Sequence, residues 1–444
     1  MKRRSFLKKT GLAAAGSAVA PFILPSGRLF AASGRRMAHH VVMVAFAGGV
    51  RQQESYLRRY VDDSQGEPYP GNIMSNLLTG EAPIAKIVYG TGVGGINPIP
   101  SLLPEPLEQL GTTFGEVRSL SAGHFGGLNS LVQGADPGGQ GLKQRPLQPT
   151  IFEYLRRHGG YSATDTWFVG NGIGGSIPML NHSNHPQYGA EYAGNFFAPT
   201  TTFLGPGEPA FANAETHHPE NELAPMQKMK AFLDQQFNAD GSGGFGGGLN
   251  NTDDEKEKIK AFMKLMFEKV DNNAINFPPV TDNRDTATVG FTCELLSHFK
   301  PSFTMVNLSS VDSCHSNFTT YLSALHRADH AVGHLWNHIQ SIPEMAGNTT
   351  LILTPECGRN LQPNNILDQN DWRAYDHSDE NSRRIFTMMA GPEVPTNLTI
   401  GGEGNPVGLV TDTMMTVCDL LGVMPEVQAA NLVFPDTDSL FNRI

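Results

Sequence analysis

The 444-residue chain carries 32 Lys and Arg against 43 Asp and Glu, a formal net charge of −11. Eight of the bases and none of the acids fall within residues 1–36, so a short basic head joins a body of 24 bases and 43 acids, net −19. Such a body is excluded from general nucleic-acid binding, because phosphate contact needs a basic face. Apolar residues at 39 % and charged residues at 17 % suit a folded domain and exclude a disordered chain.

In chain order, Lys2-Arg3-Arg4-Ser5-Phe6-Leu7-Lys8 comes first, followed by an Ala- and Gly-rich apolar stretch from Gly11 to Leu24. That stretch is too short for a comfortable membrane helix, which needs about 20 apolar residues. Charged start, short apolar run and small residues together read as a signal peptide. The segment 1–36 resembles a twin-arginine signal, with Lys2 where Ser or Thr is usual, which implies a periplasmic or extracellular protein. No later segment approaches a transmembrane span.

His40–Phe46 is a continuous apolar run ending at Gly48-Gly49 and reads as a buried parallel strand. Phe114–Leu120 is a second strand, Ile151–Arg157 a short helix and Thr166–Val169 a strand. Gly170 to Gly175 superficially suggests a nucleotide loop, but no helix or acidic partner follows at the spacing a dinucleotide site needs. Asn181–Phe197 is rich in aromatic residues and Asn, and reads as a loop, either packed on the surface or lining a pocket. Helical pieces at Ala224–Phe237 and Asp253–Val270 flank the Gly-rich linker Asn238–Asn251. Residues 205–285 thus read as an insertion, placed as a cap near the site, between core segments 37–204 and 286–444. Phe303–Leu308, Thr349–Leu353 and Ile385–Met389 read as strands, Phe318–Ile339 and Thr411–Leu421 as helices. The expected fold is α/β, a mostly parallel central sheet with helices on both faces and a helical insertion. On the helix 318–339, Leu322, Leu325, Val332, Leu335 and Ile339 should pack on the sheet, leaving His326, His330, His334 and His338 toward solvent. The four cysteines, Cys293, Cys314, Cys357 and Cys418, show no C-x-x-C pair, and spacing cannot assign a disulfide.

Active groups in such sheets gather beyond the C-terminal ends of the strands. Three loops there carry Asp312 with His315, Glu356-Cys357-Gly358-Arg359, and Asp376-His377-Ser378. Asp, Glu and His are the ligands a divalent metal such as zinc or manganese would use.

The order strand–Asp-x-x-His–helix, strand–Thr354-Pro355-Glu356-Cys357-Gly358-Arg359, Asp-His-Ser, strand, then Gly408-Leu409-Val410-Thr411-Asp412 and a helix resembles the alkaline phosphatase/sulfatase superfamily. Within it, Phe46-Ala47-Gly48-Gly49 and Gly123-His124-Phe125 followed by Gly134 resemble a group of twin-arginine-exported bacterial proteins. The resemblance implies a hydrolase of phosphate, sulfate or related esters, with one metal position surviving at Asp312, His315 and His377. This chain departs from the catalytic pattern in its Asp-x-x-His spacing, one residue shorter than usual, and at three further places. Ala47 stands where a metal-binding Asp follows the first strand, His124 where the Thr or Ser nucleophile is counted, and Glu356-Cys357 where an Asp-His pair is usual. Three assignments stay open. Asp312, His315 and His377 bind one metal, completed by Glu356 or His124, with Arg359 holding a small anionic ester. Alternatively His124 is itself nucleophile or general base, with Ser121 a weaker candidate. In the third, the site is a degenerate one that binds a ligand or partner without catalysis.

Overall fold

The computed structural model describes residues 33–57, 59–62, 68–70, 102–138, 145–171, 179–204, 251–369 and 372–444. Most of the basic head, the Gly-rich linker, the first insertion helix and most of the Gly170–Gly175 loop lie outside these residues.

Eight strands form the central sheet: β1 (His40–Phe46), β2 (Gly111–Arg118), β3 (Thr166–Gly170), β4 (Asn195–Phe197), β5 (Phe303–Leu308), β6 (Thr349–Pro355), β7 (Arg384–Ala390) and β8 (Leu398–Ile400). Their spatial order is β8-β2-β7-β6-β1-β5-β3-β4. β1 runs parallel to both β5 and β6, and β3 parallel to β4 and β5. β8 is parallel to β2. Only β7 is reversed, pairing antiparallel with β2 and β6. The sheet is therefore mostly parallel, as expected, and its central strands are near-continuous apolar runs because both faces are covered.

The period-2 alternation of a strand divides the core. Val42, Val44 and Phe46 of β1 face one apolar cluster, together with Val306 and Leu308 of β5 and Leu351 and Leu353 of β6. Val41, Met43 and Ala45 face the other, with Phe303, Met305 and Ile352. The second face is covered by α1 (His124–Gln133), α2 (Ile151–His158) and α6 (Val410–Leu420). The first is covered by α3 (Asp253–Asp271), α4 (Arg284–Phe299) and α5 (Phe318–Ser341). None of the described helices is long and apolar enough to cross a membrane.

The structure adds to or changes four sequence expectations. First, α3, the described helix of the proposed insertion, contributes Ile259, Phe262 and Met266 to the apolar core. It starts at a capping box of Thr252 and Glu255, and Phe262 packs on Trp167 and Phe197, with ring centroids 6.5 and 5.5 Å apart. Second, Asn195–Phe197 is an edge strand rather than loop. Third, the histidine stripe of α5 is not solvated. Leu322, Leu325, Val332, Leu335 and Ile339 are buried as expected, but His326 and His330 are also only 1 % and 2 % exposed. The reason is α4, which lacks a clean apolar stripe because it is buried nearly all round. It lies beside α5, and His338 Nε2 meets the Cys293 carbonyl at 2.9 Å. Just before α4, the Val280 N–H donates to His330 and the Asn276 carbonyl meets His334 Nε2. Fourth, α4 itself was not foreseen; Asn283 caps it by accepting the Thr286 N–H at 2.9 Å. All four cysteines are buried free thiols.

The same helix packing buries Asp329 of α5, which is 3 % exposed and has no hydrogen-bond partner on either carboxylate oxygen among the described residues. Desolvation by burial holds its pKa well above the ordinary 3.8. The folded state thus keeps a proton that the unfolded chain releases, so this residue's contribution is fully present below pH 3.8 and declines as pH rises toward the folded pKa. Asp329→Asn should remove that slope. Its advantage over the parent in urea unfolding should grow by about 1.4 kcal/mol per pH unit over that window. Parallel pH dependences for the two proteins would contradict this reading of Asp329.

Candidate metal centre

The candidate residues lie on the loops, turn and helix start that follow the C-terminal ends of the parallel strands. After β1 the chain turns at Gly48 (φ 122°) and Gly49 (φ 78°). These backbones press on neighbouring loops: a Cβ on Gly48 would lie 2.5 Å from the Asp312 nitrogen, and one on Gly49 2.7 Å from the Gly358 carbonyl oxygen. Only glycine meets both the dihedral and the space requirement.

After β5, residues Ser310–His315 form a 3₁₀ turn. Three residues per turn place side chains i and i+3 on one side. The Asp-x-x-His spacing therefore brings Asp312 Oδ1 to 3.3 Å from His315 Nε2. Asp285 at the start of α4 anchors this turn by accepting the Ser309 and Ser310 N–H groups at 2.9 and 3.0 Å. Burial pushes its pKa up to about 6, although those donors favour the charged form. His124 is the first residue of α1, and His377 comes from the loop joining β6 to β7.

Three imidazoles and one carboxylate converge. His315 Nε2 lies 3.2 Å from His124 Nε2 and 3.1 Å from His377 Nε2. Asp312 Oδ1 lies 3.0 Å from His124 Nε2. One donor atom from each of His124, His315 and His377 falls within 4.8 Å of the others. Ligands at about 2.0–2.2 Å around a tetrahedral zinc are separated by about 3.3–3.6 Å, close to these distances. Two of the three outer nitrogens are held too. His124 Nδ1 meets Glu356 Oε1 at 3.1 Å, and His315 Nδ1 meets Asp376 Oδ1 at 3.0 Å. A proton held on each Nδ1 leaves the Nε2 lone pair pointing at the convergence, the carboxylate–histidine arrangement of metal sites. The three histidine donors fit one divalent ion, with Asp312 beside two of them.

Without an ion, a proton takes its place on His124. Burial opposes charge on His124, but Cys357, Asp312 and Glu356 outweigh it and raise its pKa to about 11. Burial likewise opposes ionisation of Asp312, yet hydrogen bonds from His124 and His315 and the charge of Arg359 hold its carboxyl far below the usual range. Burial, then the charges of His124, Arg359 and His315, push His377 down to about 3 and keep it neutral.

The remaining candidates behave differently. Glu356 is fully buried, and its Oε1 also accepts the Gly48 N–H at 2.6 Å. It stands behind His124 rather than beside Asp312. A second cluster, His124, Glu356 and Cys357, also falls within 4.8 Å, but burial raises the Cys357 thiol and disfavours the thiolate that ligation requires. Arg359 is fully buried. Its guanidinium donates to the carbonyls of Gly48, Asp312 and Tyr375 and to Asp312 Oδ1. It ties three loops together instead of facing solvent, so the geometry gives it a positioning task and not the anion-holding one expected. Ser121 Oγ bonds locally with Gly123. Asp376, named in the sequence only with its loop, is the partner of His315 Nδ1, and no sequence signal marked Asp285. Asp376→Asn should weaken zinc binding about 10- to 100-fold, as for other partners of a ligating histidine, measured by competition with a chromogenic chelator.

No family model matches the chain, and no curated protein matches it. Solved structures similar to it carry the names of alkaline phosphatases and sulfatases. One is the wild-type alkaline phosphatase PafA, with TM-score 0.44 and 12 % identity over 87 % of this chain and 96 % of that one. PsFucS1 sulfatase from Pseudoalteromonas sp. gives 0.43 and 14 % over 99 % and 77 %. A protein in the alkaline phosphatase superfamily from Vibrio parahaemolyticus gives 0.38 and 13 % over 91 % and 72 %. What this chain does chemically rests on its own side chains.

Proposed function

We propose that this chain is an exported single-metal hydrolase of phosphate- or sulfate-type esters, with His124, His315, His377 and Asp312 as the ligands. The observation that carries this reading is that donor atoms of His124, His315 and His377 lie within 4.8 Å of one another, with Asp312 Oδ1 3.0 and 3.3 Å from His124 and His315. A nitrogen-rich set of this kind suits zinc better than manganese. A divalent ion held there would polarise an ester oxygen and lower the pKa of water. The chain's own residues hold and orient: Glu356 and Asp376 fix the two imidazoles, and Arg359 fixes Asp312. Side chains of His315 and Asp312, 36 % and 23 % exposed, open the centre to solvent and give a small ester access. The basic segment Lys2 to Leu24 supports export by the twin-arginine route.

One observation favours a second reading, a non-catalytic metal-binding protein on the same scaffold. Four protein ligands would fill a tetrahedral zinc, as in structural sites, whereas catalytic sites keep a position open. One experiment separates the two. The purified full chain is analysed for metal by mass spectrometry and then assayed on p-nitrophenyl phosphate and sulfate and on a panel of sugar and alkyl esters. About one zinc per chain with turnover lost to chelator and restored by zinc supports the hydrolase. The same metal content without turnover supports the second reading, and failure to retain zinc after reconstitution removes both.

A further inference from the structure

Seven large hydrophobic side chains are exposed among the described residues: Phe125, Leu147, Leu204, Leu361, Ile366, Leu367 and Ile444. Four of them lie on segments that carry or adjoin site residues. Phe125, 41 % exposed, directly follows the ligand His124. Leu361, Ile366 and Leu367, 50, 48 and 54 % exposed, lie on the loop between Arg359 and His377. Exposed apolar groups that form a patch mark interaction sites.

The loop is built rather than loose. Asn364 and Ile366 exchange backbone hydrogen bonds with Ala374, and the Asp368 N–H donates to Trp372, forming a small hairpin. The Asp368 carboxylate accepts from the Thr319 N–H and hydroxyl at the start of α5, at 2.8 and 2.7 Å. At the inner end the Asn364 amide donates to the His315 carbonyl and to Asp376 Oδ2, at 3.0 and 3.1 Å. The hairpin is thus bonded directly to a metal ligand and to that ligand's carboxylate partner. Leu361 is held the same way, its N–H donating to Asp379 two residues beyond His377. The hairpin also carries one exposed cation, Arg373, opposite Leu367 in a backbone bridge.

We infer that this hairpin is a specificity element, and that the ester taken by the centre is amphiphilic: an anionic head at the metal and an alkyl or aryl group lying on Ile366, Leu367 and Leu361. The inference rests on the anionic-ester reading above. It is favoured by the continuity of the apolar surface's supports with the ligands, and by Arg373 as a cation in a body of net negative charge.

The test uses the zinc-loaded full chain and calorimetry with methylphosphonate, octylphosphonate and octanol, the first two sharing one non-hydrolysable head. Octylphosphonate should bind at least about tenfold tighter than methylphosphonate, and that ratio should fall below about threefold in Ile366→Ser/Leu367→Ser, because partial burial of an alkyl chain supplies the gain. The Leu147→Ser control, an exposed leucine outside the loop, should keep the parent ratio, and unfolding midpoints verify that all variants are folded. Equal affinity for the two phosphonates, persistence of the ratio in the double variant, or octanol binding as tightly as octylphosphonate would each overturn the amphiphile inference while leaving the ester reading standing. Failure of both phosphonates to bind a chain shown to hold zinc would overturn the ester reading and this inference with it.

Discussion

His315→Ala should empty the metal centre. His315 is the hub of the ligand set, with its Nε2 within 3.1–3.3 Å of His377, His124 and Asp312. Its removal leaves three donors and breaks the link to Asp376. Its side chain is 36 % exposed, so truncation opens no core cavity. Metal content after zinc reconstitution and desalting should drop from about one ion per chain to below about a tenth, because the loss of a direct ligand exceeds the 10- to 100-fold cost of losing an outer partner. Any metal-dependent ester hydrolysis should fall with it. Retention of one zinc by folded His315→Ala, judged by circular dichroism and mass spectrometry together, would place the ion elsewhere.

The second large effect falls on a residue that touches no metal. Arg359→Met should destabilise the chain by about 3–5 kcal/mol, the usual result of deleting one side of a buried ionic cluster. The guanidinium is fully buried, and it bonds backbone carbonyls at Gly48, Asp312 and Tyr375 as well as the Asp312 carboxylate. Methionine fills similar volume but leaves those acceptors unpaired, each a desolvated polar atom. Arg359→Lys should recover little, since one ammonium cannot span acceptors on three loops as the planar fork does. Zinc affinity should fall along with stability, as Asp312 loses its fixed orientation. Urea unfolding followed by chelator competition measures both. A Lys variant equal to the parent in both would show that charge alone matters there.

Much of this was legible in the sequence because the signal was local. β1 and β5 match their expected spans, since a buried parallel strand is a bounded apolar run with a Gly or turn at its end. Asp312, His315 and His377 could be singled out because active groups gather where parallel strands end, and the fold does bring them to one rim. What escaped depended on tertiary context. The 3₁₀ form of Ser310–His315, which makes the short Asp-to-His spacing workable, follows from anchoring by Asp285 on another element. The absence of an acid at position 47 looked like a loss, but Glu356 reaches across from β6 to bond both the Gly48 N–H and His124. Arg359 reads as an anion clamp by residue type; only the three carbonyls around it show where its donors go. α4 hid because a helix buried on nearly every side has no stripe, and with it went the true environment of the α5 histidines.

The reversal of β7 has a consequence for how such a protein can change. β6 and β7 are antiparallel neighbours, so the chain leaves the sheet at Glu356 and re-enters at Arg384 on the same edge, with no crossover helix needed. Within that excursion it delivers Glu356, Arg359, Asp376 and His377 to the site and displays the apolar hairpin. Lengthening, trimming or exchanging the outer part of this segment costs little closure entropy and moves no strand. Recognition can therefore be rewritten in a single cassette while the sheet, its covering helices and the ligands from β5 and α1 are inherited unchanged.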